Sequence, residues 1–205
     1  MQNASQWTTK GTKKMEGIVS MNTSTMTNDF CQKMQQNADN VCKKCYAESL
    51  ERCYKALEKK LLTNSIIYEQ ELEEIDIPVF KDELIVRIHS YGELRNILHL
   101  ENLLKIVTHK RNKHVTFALW TKRKAIVKKV FESRKVPSNL VLNYSVSRID
   151  PIVKNSNPPK PFDRSFLVFK DNPKNVKINC GSKDCLSCMM CYKKTGNKII
   201  KEQIK

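Results

Sequence analysis

The sequence predicts an α/β fold, a parallel sheet laid out as a partial (β/α)6 barrel with a C-terminal cysteine-rich cluster loop. Short apolar runs bounded by turn residues alternate with segments of helical period. The 205 residues leave room for about five or six strand–helix units, whereas a closed eight-unit barrel needs about 250 residues. Four of the eight cysteines fall within "CGSKDCLSCMMC", close to the end of the chain. A doubly wound flat sheet is the alternative, but neither G-x-G-x-x-G nor a Walker A motif is present to argue for it.

Residues 1–16 read as a flexible polar lead-in, and "GIVSMNTST" (17–25) as a buried strand running into a polar turn. A long helix follows, capped by Asp39 or Asn40. Its apolar face is Tyr46, Leu50, Cys53, Leu57 and Leu61, at spacings of 4, 3, 4 and 4. The acidic stretch "NSIIYEQELEEIDIP" connects it to the second strand, "ELIVRIHS" (83–90). "YGEL" turns that strand into a helix facing the core with Leu94, Ile97, Leu98, Leu104 and Val107. "HVTFALW" (114–120) is the third strand, and Thr121 caps the helix "KRKAIVKKVFESR", which stops before Pro137. "NLVLNYSVS" (139–147) is the fourth strand. After the loop "NSNPPKPFD", "FLVFK" (166–170) and "VKIN" (176–179) read as the fifth and sixth. The chain thus divides into the lead-in 1–16, an α/β body 17–175 and a cysteine-rich segment 176–205.

Net charge is +16 and unevenly placed. Residues 105–135 hold eleven Lys/Arg and one Glu, and the chain from Pro151 onward holds twelve Lys/Arg and four acidic residues. Such faces suit a polyanion, with nucleic acid first, although a solvated lysine-rich surface has the same composition. No apolar run reaches signal-peptide or membrane-spanning length, so the expected location is the cytosol of the host cell, away from membranes. Disulfides seldom persist there, which favours thiolate–metal chemistry for two tight cysteine groups.

In either sheet arrangement the C-terminal ends of parallel strands form the active face. Four such ends are polar: Asn22-Thr23-Ser24, His89-Ser90-Tyr91-Gly92-Glu93, Trp120-Thr121-Lys122 and Asn143-Tyr144-Ser145. His89, Glu93, Lys122 and Tyr144 are the candidate catalytic residues of that pocket. There is no G-x-S-x-G, the histidines at 89, 99, 109 and 114 form no metal-spaced pair, and His99 and His109 read as surface residues.

Cys31, Cys42 and Cys45 give C-x10-C-x2-C, with the pair beside a helix N-terminus that stabilises thiolate. Three thiolates with one open position suit a [4Fe–4S] cluster, and zinc with a fourth ligand from elsewhere competes. Cys53 lies eight residues past Cys45, about 12 Å along a helix, and reads as core filler. Cys180, Cys185, Cys188 and Cys191 give C-x4-C-x2-C-x2-C, similar to bacterial ferredoxin loops. Overlapping C-x2-C knuckles favour iron–sulfur over zinc, which usually takes two separated knuckles. Met189 and Met190 would shield that cluster.

The order of a strand, a cysteine loop ending "CKKCYAE", "RIHSYGEL", "FALWTKRK" and "INCGSKDCLSCMMCY" resembles the phage gene product 88 family over roughly residues 15–200. More distantly, the layout is similar to radical S-adenosylmethionine (SAM) enzymes, partial barrels with three cysteines after strand one and a Gly-Gly-Glu motif after strand two. That resemblance implies a cluster on Cys31, Cys42 and Cys45, with SAM at the open iron. Backbone of Ser90, Tyr91, Gly92 and Glu93 would hold the methionyl amino group. Cys180, Cys185, Cys188 and Cys191 would hold an auxiliary cluster. This chain departs from the radical SAM pattern in its ten-residue gap, in Tyr46 following the last cysteine rather than preceding it, and in lacking a later glycine-rich segment. The implied function is a redox enzyme acting on nucleic acid or a nucleotide. The alternative is a nucleic-acid-binding or host-protein-binding module whose iron–sulfur or zinc sites are structural.

Overall fold

A computed structural model of the chain describes residues 7–170, 176–181 and 184–204. Its centre is one seven-stranded sheet: β1 (Thr8–Lys10), β2 (Val19–Met21), β3 (Ile85–Ile88), β4 (Thr116–Thr121), β5 (Leu140–Ile149), β6 (Arg164–Phe169) and β7 (Ile199–Gln203). Spatial order equals chain order. β1 pairs antiparallel with β2, and every later pair is parallel. A doubly wound sheet must reverse its order at a switch point, and this one never does. The sheet is wound in one direction, as in a barrel, but stays open with β1 and β7 as its edges.

The central strands β4 and β5 are apolar on both faces where they pair, as buried parallel strands must be. Alternation sends Val86, Ile88, Phe117, Leu119, Leu140 and Leu142 to one side. There they meet α3 (Lys55–Tyr68), α4 (Ile97–Thr108) and α5 (Lys124–Val130) through Tyr68, Leu100, Leu103, Leu104, Val107, Ile126 and Val127. The other face presents Ile85, Ala118, Trp120, Val141 and Phe166. Its cover is the cysteine-rich segment, through Cys185, Met189, Cys191 and Tyr192.

Several expectations need correction. Residues 7–16 are built into the fold, since Trp7 is buried against Tyr68 and β1 extends the sheet. The long helix is three pieces: a 3-10 turn Val41–Lys44 capped by Asn40, α2 (Tyr46–Cys53) and α3, with Tyr54 extended between the last two. No Gly or Pro marks that break, and it turns Tyr46 and Cys53 outward to solvent. Ile97 also faces solvent, because Asn96 starts α4 just before it and the helix buries Leu100, Leu103 and Leu104 instead. His99 and His109 are buried. His99 Nδ1 accepts from the Arg95 N–H, and His109 Nε2 lies 3.0 Å from Glu74 Oε1.

The helix after β4 runs only over Lys124–Val130, and Thr121 does not cap it; its hydroxyl serves Glu93 instead. The sixth parallel strand is β7, not 176–179. Asn179 and Cys180 lie beside it and donate backbone N–H to Lys201 O at 3.2 and 3.0 Å. "IIKEQ" pairs with β6 over five residues, Ser165 to Phe169, which the shorter run does not.

Two candidate cysteine sites

The first site sits at the C-terminal ends of β2, β3 and β4. Cys31 lies in the first turn of a short helix, α1 (Asp29–Gln35), whose remainder begins the ten-residue gap to Cys42. Asn28 caps α1 by accepting from the Phe30 and Cys31 N–H groups, and its amide donates to Glu93 O at 2.9 Å. Cys42 lies in the Asn40-capped 3-10 turn, and Cys45 immediately precedes α2. Asn40 in turn bridges Arg148 at the upper end of β5.

Burial pushes the Cys31 and Cys42 thiols up, and nearby Glu93 and the neighbouring cysteines add to this, while Lys122 opposes it. Burial works to lower the Lys122 pKa, but Cys42, Glu93, Cys31 and Cys45 together raise it. The three cysteines therefore share one electrostatic neighbourhood with a single ammonium. The raised thiols stay protonated while nothing is bound, and the ammonium is placed to offset the charge they would carry as metal ligands.

Of the expected catalytic residues, the structure brings Glu93 and Lys122 together. The Glu93 carboxylate is already committed, accepting from the Thr121 hydroxyl, the Lys122 N–H at 2.8 Å and the Leu94 N–H at 2.8 Å. His89 does not join them. It is buried, with its ring 5.3 Å from that of His99. Tyr144 packs on Phe162 at 5.4 Å on the helix side of the sheet, so it is a core aromatic. The Ser90–Glu93 loop is pinned by Asn22, whose Oδ1 accepts from the Ser90 and Tyr91 N–H groups at 2.7 and 3.0 Å. Gly92 has φ +82°, and a Cβ there would lie 2.2 Å from Thr23 Oγ1, so the two loops approach closely only because it is glycine.

Glu51 was not anticipated. It is fully buried on α2 and accepts from the Ser24 hydroxyl, the Thr25 N–H at 2.9 Å and the Thr25 hydroxyl at 2.7 Å. It locks the loop after β2 to the helix that follows Cys45. Glu51→Gln puts an amide donor against these donors and should destabilise the fold by about 2 kcal/mol, read from urea denaturation.

The second site lies on the face opposite the helices. Cys180, Cys185, Cys188 and Cys191 line one recess together with Lys14, Met190, Tyr192 and Ile200. Cys185–Cys188 form a single helical turn, α6, capped by Asp184, and Met189 leaves it in the left-handed region. Among the described residues no group of three or more His, Cys, Asp or Glu side chains is arranged to hold a single metal ion.

One cation, Lys14, lines the recess, and two arginines act on Cys191 from beside it. Lys14 Nζ lies 3.1 Å from both Cys180 Sγ and Glu202 Oε1. Arg87, half-buried, stacks 4.0 Å over Trp120, and its Nε is enclosed without a partner. Arg164 is 1% exposed. It donates to Lys193 O, and to Thr195 O and Asn197 O at 3.4 Å, while its Nη1 is enclosed without a partner. Burial pushes the Cys191 thiol up to about 12 even though Arg87 and Arg164 pull it down. Charged residues inside a strand that is otherwise apolar on both faces, "IVRI" and "RSFLVF", were the signal in the sequence for both arginines.

A family model described as gene product 88 matches residues 2–203. Neither a curated protein nor a solved structure matches the chain. No helix among the described residues is long and apolar enough to cross a membrane.

Proposed function

Because the chain belongs to the phage gene product 88 family, we propose from that premise that it is an iron–sulfur redox protein whose two cysteine groups each hold a [4Fe–4S] cluster. The observation that carries the reading is Arg164, fully buried beside Cys191 with one orphaned N–H and, among the described residues, no carboxylate at salt-bridge distance, Asp163 acting on it from further away. A buried guanidinium without a close counter-ion is costly. Neutral thiols do not offset it, whereas a tetrathiolate cluster adds negative charge at that place. The donor set suits it as well, since four cysteines line one recess.

When bound, such clusters supply one-electron chemistry. The chain's own residues do the rest. Cys180, Cys185, Cys188 and Cys191 ligate, and Lys14 donates to Cys180 Sγ. Arg87 and Arg164 offset charge, while Trp120, Met189 and Tyr192 exclude water. Cys31, Cys42 and Cys45 supply three ligands beside the Lys122 ammonium and leave one position open. SAM is the ligand the radical-SAM resemblance proposes there, with Ser90, Tyr91 and Gly92 offering backbone at the same end of the sheet. The competing reading, a nucleic-acid-binding or host-binding protein with structural clusters or zinc, draws on the net charge of +16.

Anaerobically purified protein should contain about eight iron and eight acid-labile sulfide per chain, about four at each site. Cys191→Ser should remove one half and Cys42→Ser the other. Zinc without sulfide overturns the reading. With both clusters present, dithionite and SAM should yield 5′-deoxyadenosine. Its absence removes SAM and leaves the non-catalytic alternative.

A further inference from the structure

The rim of the first site carries an aromatic ring that packing does not explain. Tyr46 is 60% exposed. Single exposed apolar side chains are ordinary, but this one is held rigid. Its hydroxyl donates to Ser90 O at 2.7 Å, and its ring lies 6.0 Å from that of Tyr91 at an angle of 59°. The polar end is tied down at the surface to the Ser90 carbonyl, and an apolar face is presented to solvent in a fixed orientation.

The surroundings are cationic and built from separate elements. Lys43 and Lys44 are exposed in the 3-10 turn just before Tyr46. Arg148, exposed at the top of β5, is the bridge partner of Asn40. Arg123 covers the Phe30 ring at 4.7 Å. Among the described residues, Lys43, Lys44, Arg123 and Arg148 make no ion pair. The nearby Glu48 carboxylate is neutralised by Arg52 at 2.6 Å. Asp29 and Asp39 are exposed acids on the same loops, and the cations outnumber them.

We propose that Tyr46 is a stacking platform for a base of single-stranded nucleic acid, whose flanking phosphates are held by Lys43, Lys44, Arg123 and Arg148. An ammonium or guanidinium cluster alone would suit any polyanion. The clamped ring selects unpaired bases, because a base inside a duplex has both faces covered by its neighbours. Stacking tolerates any base, so the site favours strand character over sequence. The proposal goes beyond the iron–sulfur reading and does not depend on it. Iron and sulfide are measured in the same preparations, so either idea can fail alone.

The test is fluorescence anisotropy with labelled oligothymidylate and with duplex of equal length, from about 50 mM salt upward. Single strands should bind more tightly than duplex, and affinity should fall steeply with salt. Tyr46→Ala should weaken binding roughly 5- to 100-fold, whereas Tyr46→Phe retains most of it. Tyr54→Ala removes an equally exposed tyrosine about 12 Å further along the chain and should change nothing. Reversing Lys43 and Lys44 to Glu should weaken binding and flatten its salt dependence even if Tyr46→Ala perturbs the loop. No binding at low salt, equal affinity for duplex, or an unchanged Tyr46→Ala each overturns the proposal.

Discussion

Replacing Arg164 with Met should lower the melting midpoint of the metal-loaded protein by about 10 °C, a loss of about 3–5 kcal/mol. Two opposing effects set this magnitude. The guanidinium donates to the carbonyls of Lys193, Thr195 and Asn197 and so ties the segment after Cys191 to β6. Met leaves those acceptors unpaired, at about 1–3 kcal/mol for each one that stays buried. Against that, Met removes a buried cation with an orphaned N–H, and this relieves desolvation. In metal-free protein the relief is larger, because burial keeps the Cys191 thiol protonated and leaves Asp163 as the carboxylate that acts on the arginine. In protein loaded with the proposed cluster, the cluster would supply a further anion, so the relief would disappear and the full loss would be felt. Thermal unfolding of both forms should show the metal-free protein losing less than half as much. Equal losses would sink the assignment of Arg164 as counter-ion to the site. Arg164→Lys should recover little, since one ammonium cannot reach three carbonyls spread across a planar fork.

The parallel sheet was legible because its strands are buried on both faces. Runs such as "TFALW" and "LVLN" have no other reading at that length between turn residues. Strand order was legible from the alternation with helices and the absence of nucleotide motifs, and its lack of any reversal confirms the single winding. β1 was missed because "TTK" is polar and gains its place only through an antiparallel edge; the buried Trp7 just before it was the available signal. β7 was missed because two short apolar runs compete for one position, and only pairing across the chain with β6 decides between them.

The cysteine groups were legible from spacing alone, but what surrounds them was not. Glu51 looks like any surface glutamate on an amphipathic helix until the Ser24–Thr25 loop folds onto it. Tyr46 fits a helical face only if α2 and α3 are one helix, and the break at Tyr54 turns it outward. Glu93 and Lys122 lie together because both follow strands whose C-terminal ends converge. Tyr144 also follows the parallel logic, but the pleat sends it to the helix side, one residue past the inward-facing Asn143.

The largest pH effect should come from the buried histidines rather than from the cysteine sites. Burial lowers the His89 pKa to about 3; Arg87 and Lys122 lower it further, against the opposing pull of the Trp120 carbonyl. Burial also holds His99 well below its usual value, with His89 and Arg95 adding to this. Both rings are therefore neutral in the folded protein, His99 stacked on Tyr68 at 4.6 Å. The unfolded chain takes up protons below about pH 6.5, whereas the folded chain does not. Stability is thus complete above about pH 6.5 and drains away as the pH falls toward 3. At pH 5 the His89 contribution alone is a loss of about 2 kcal/mol, and His99 adds to it in the same direction. Urea midpoints at pH 7.5 and pH 5 measure the difference directly. His89→Asn, a residue that tolerates the left-handed backbone at this position (φ 64°), should reduce the drop between the two pH values by about 2 kcal/mol. Whatever fixed cost the substitution carries cancels in that difference. A slope unchanged in the variant would mean that His89 is already charged, or already solvated, in the folded protein, and the buried His89–His99 pair would then not be the source of acid lability.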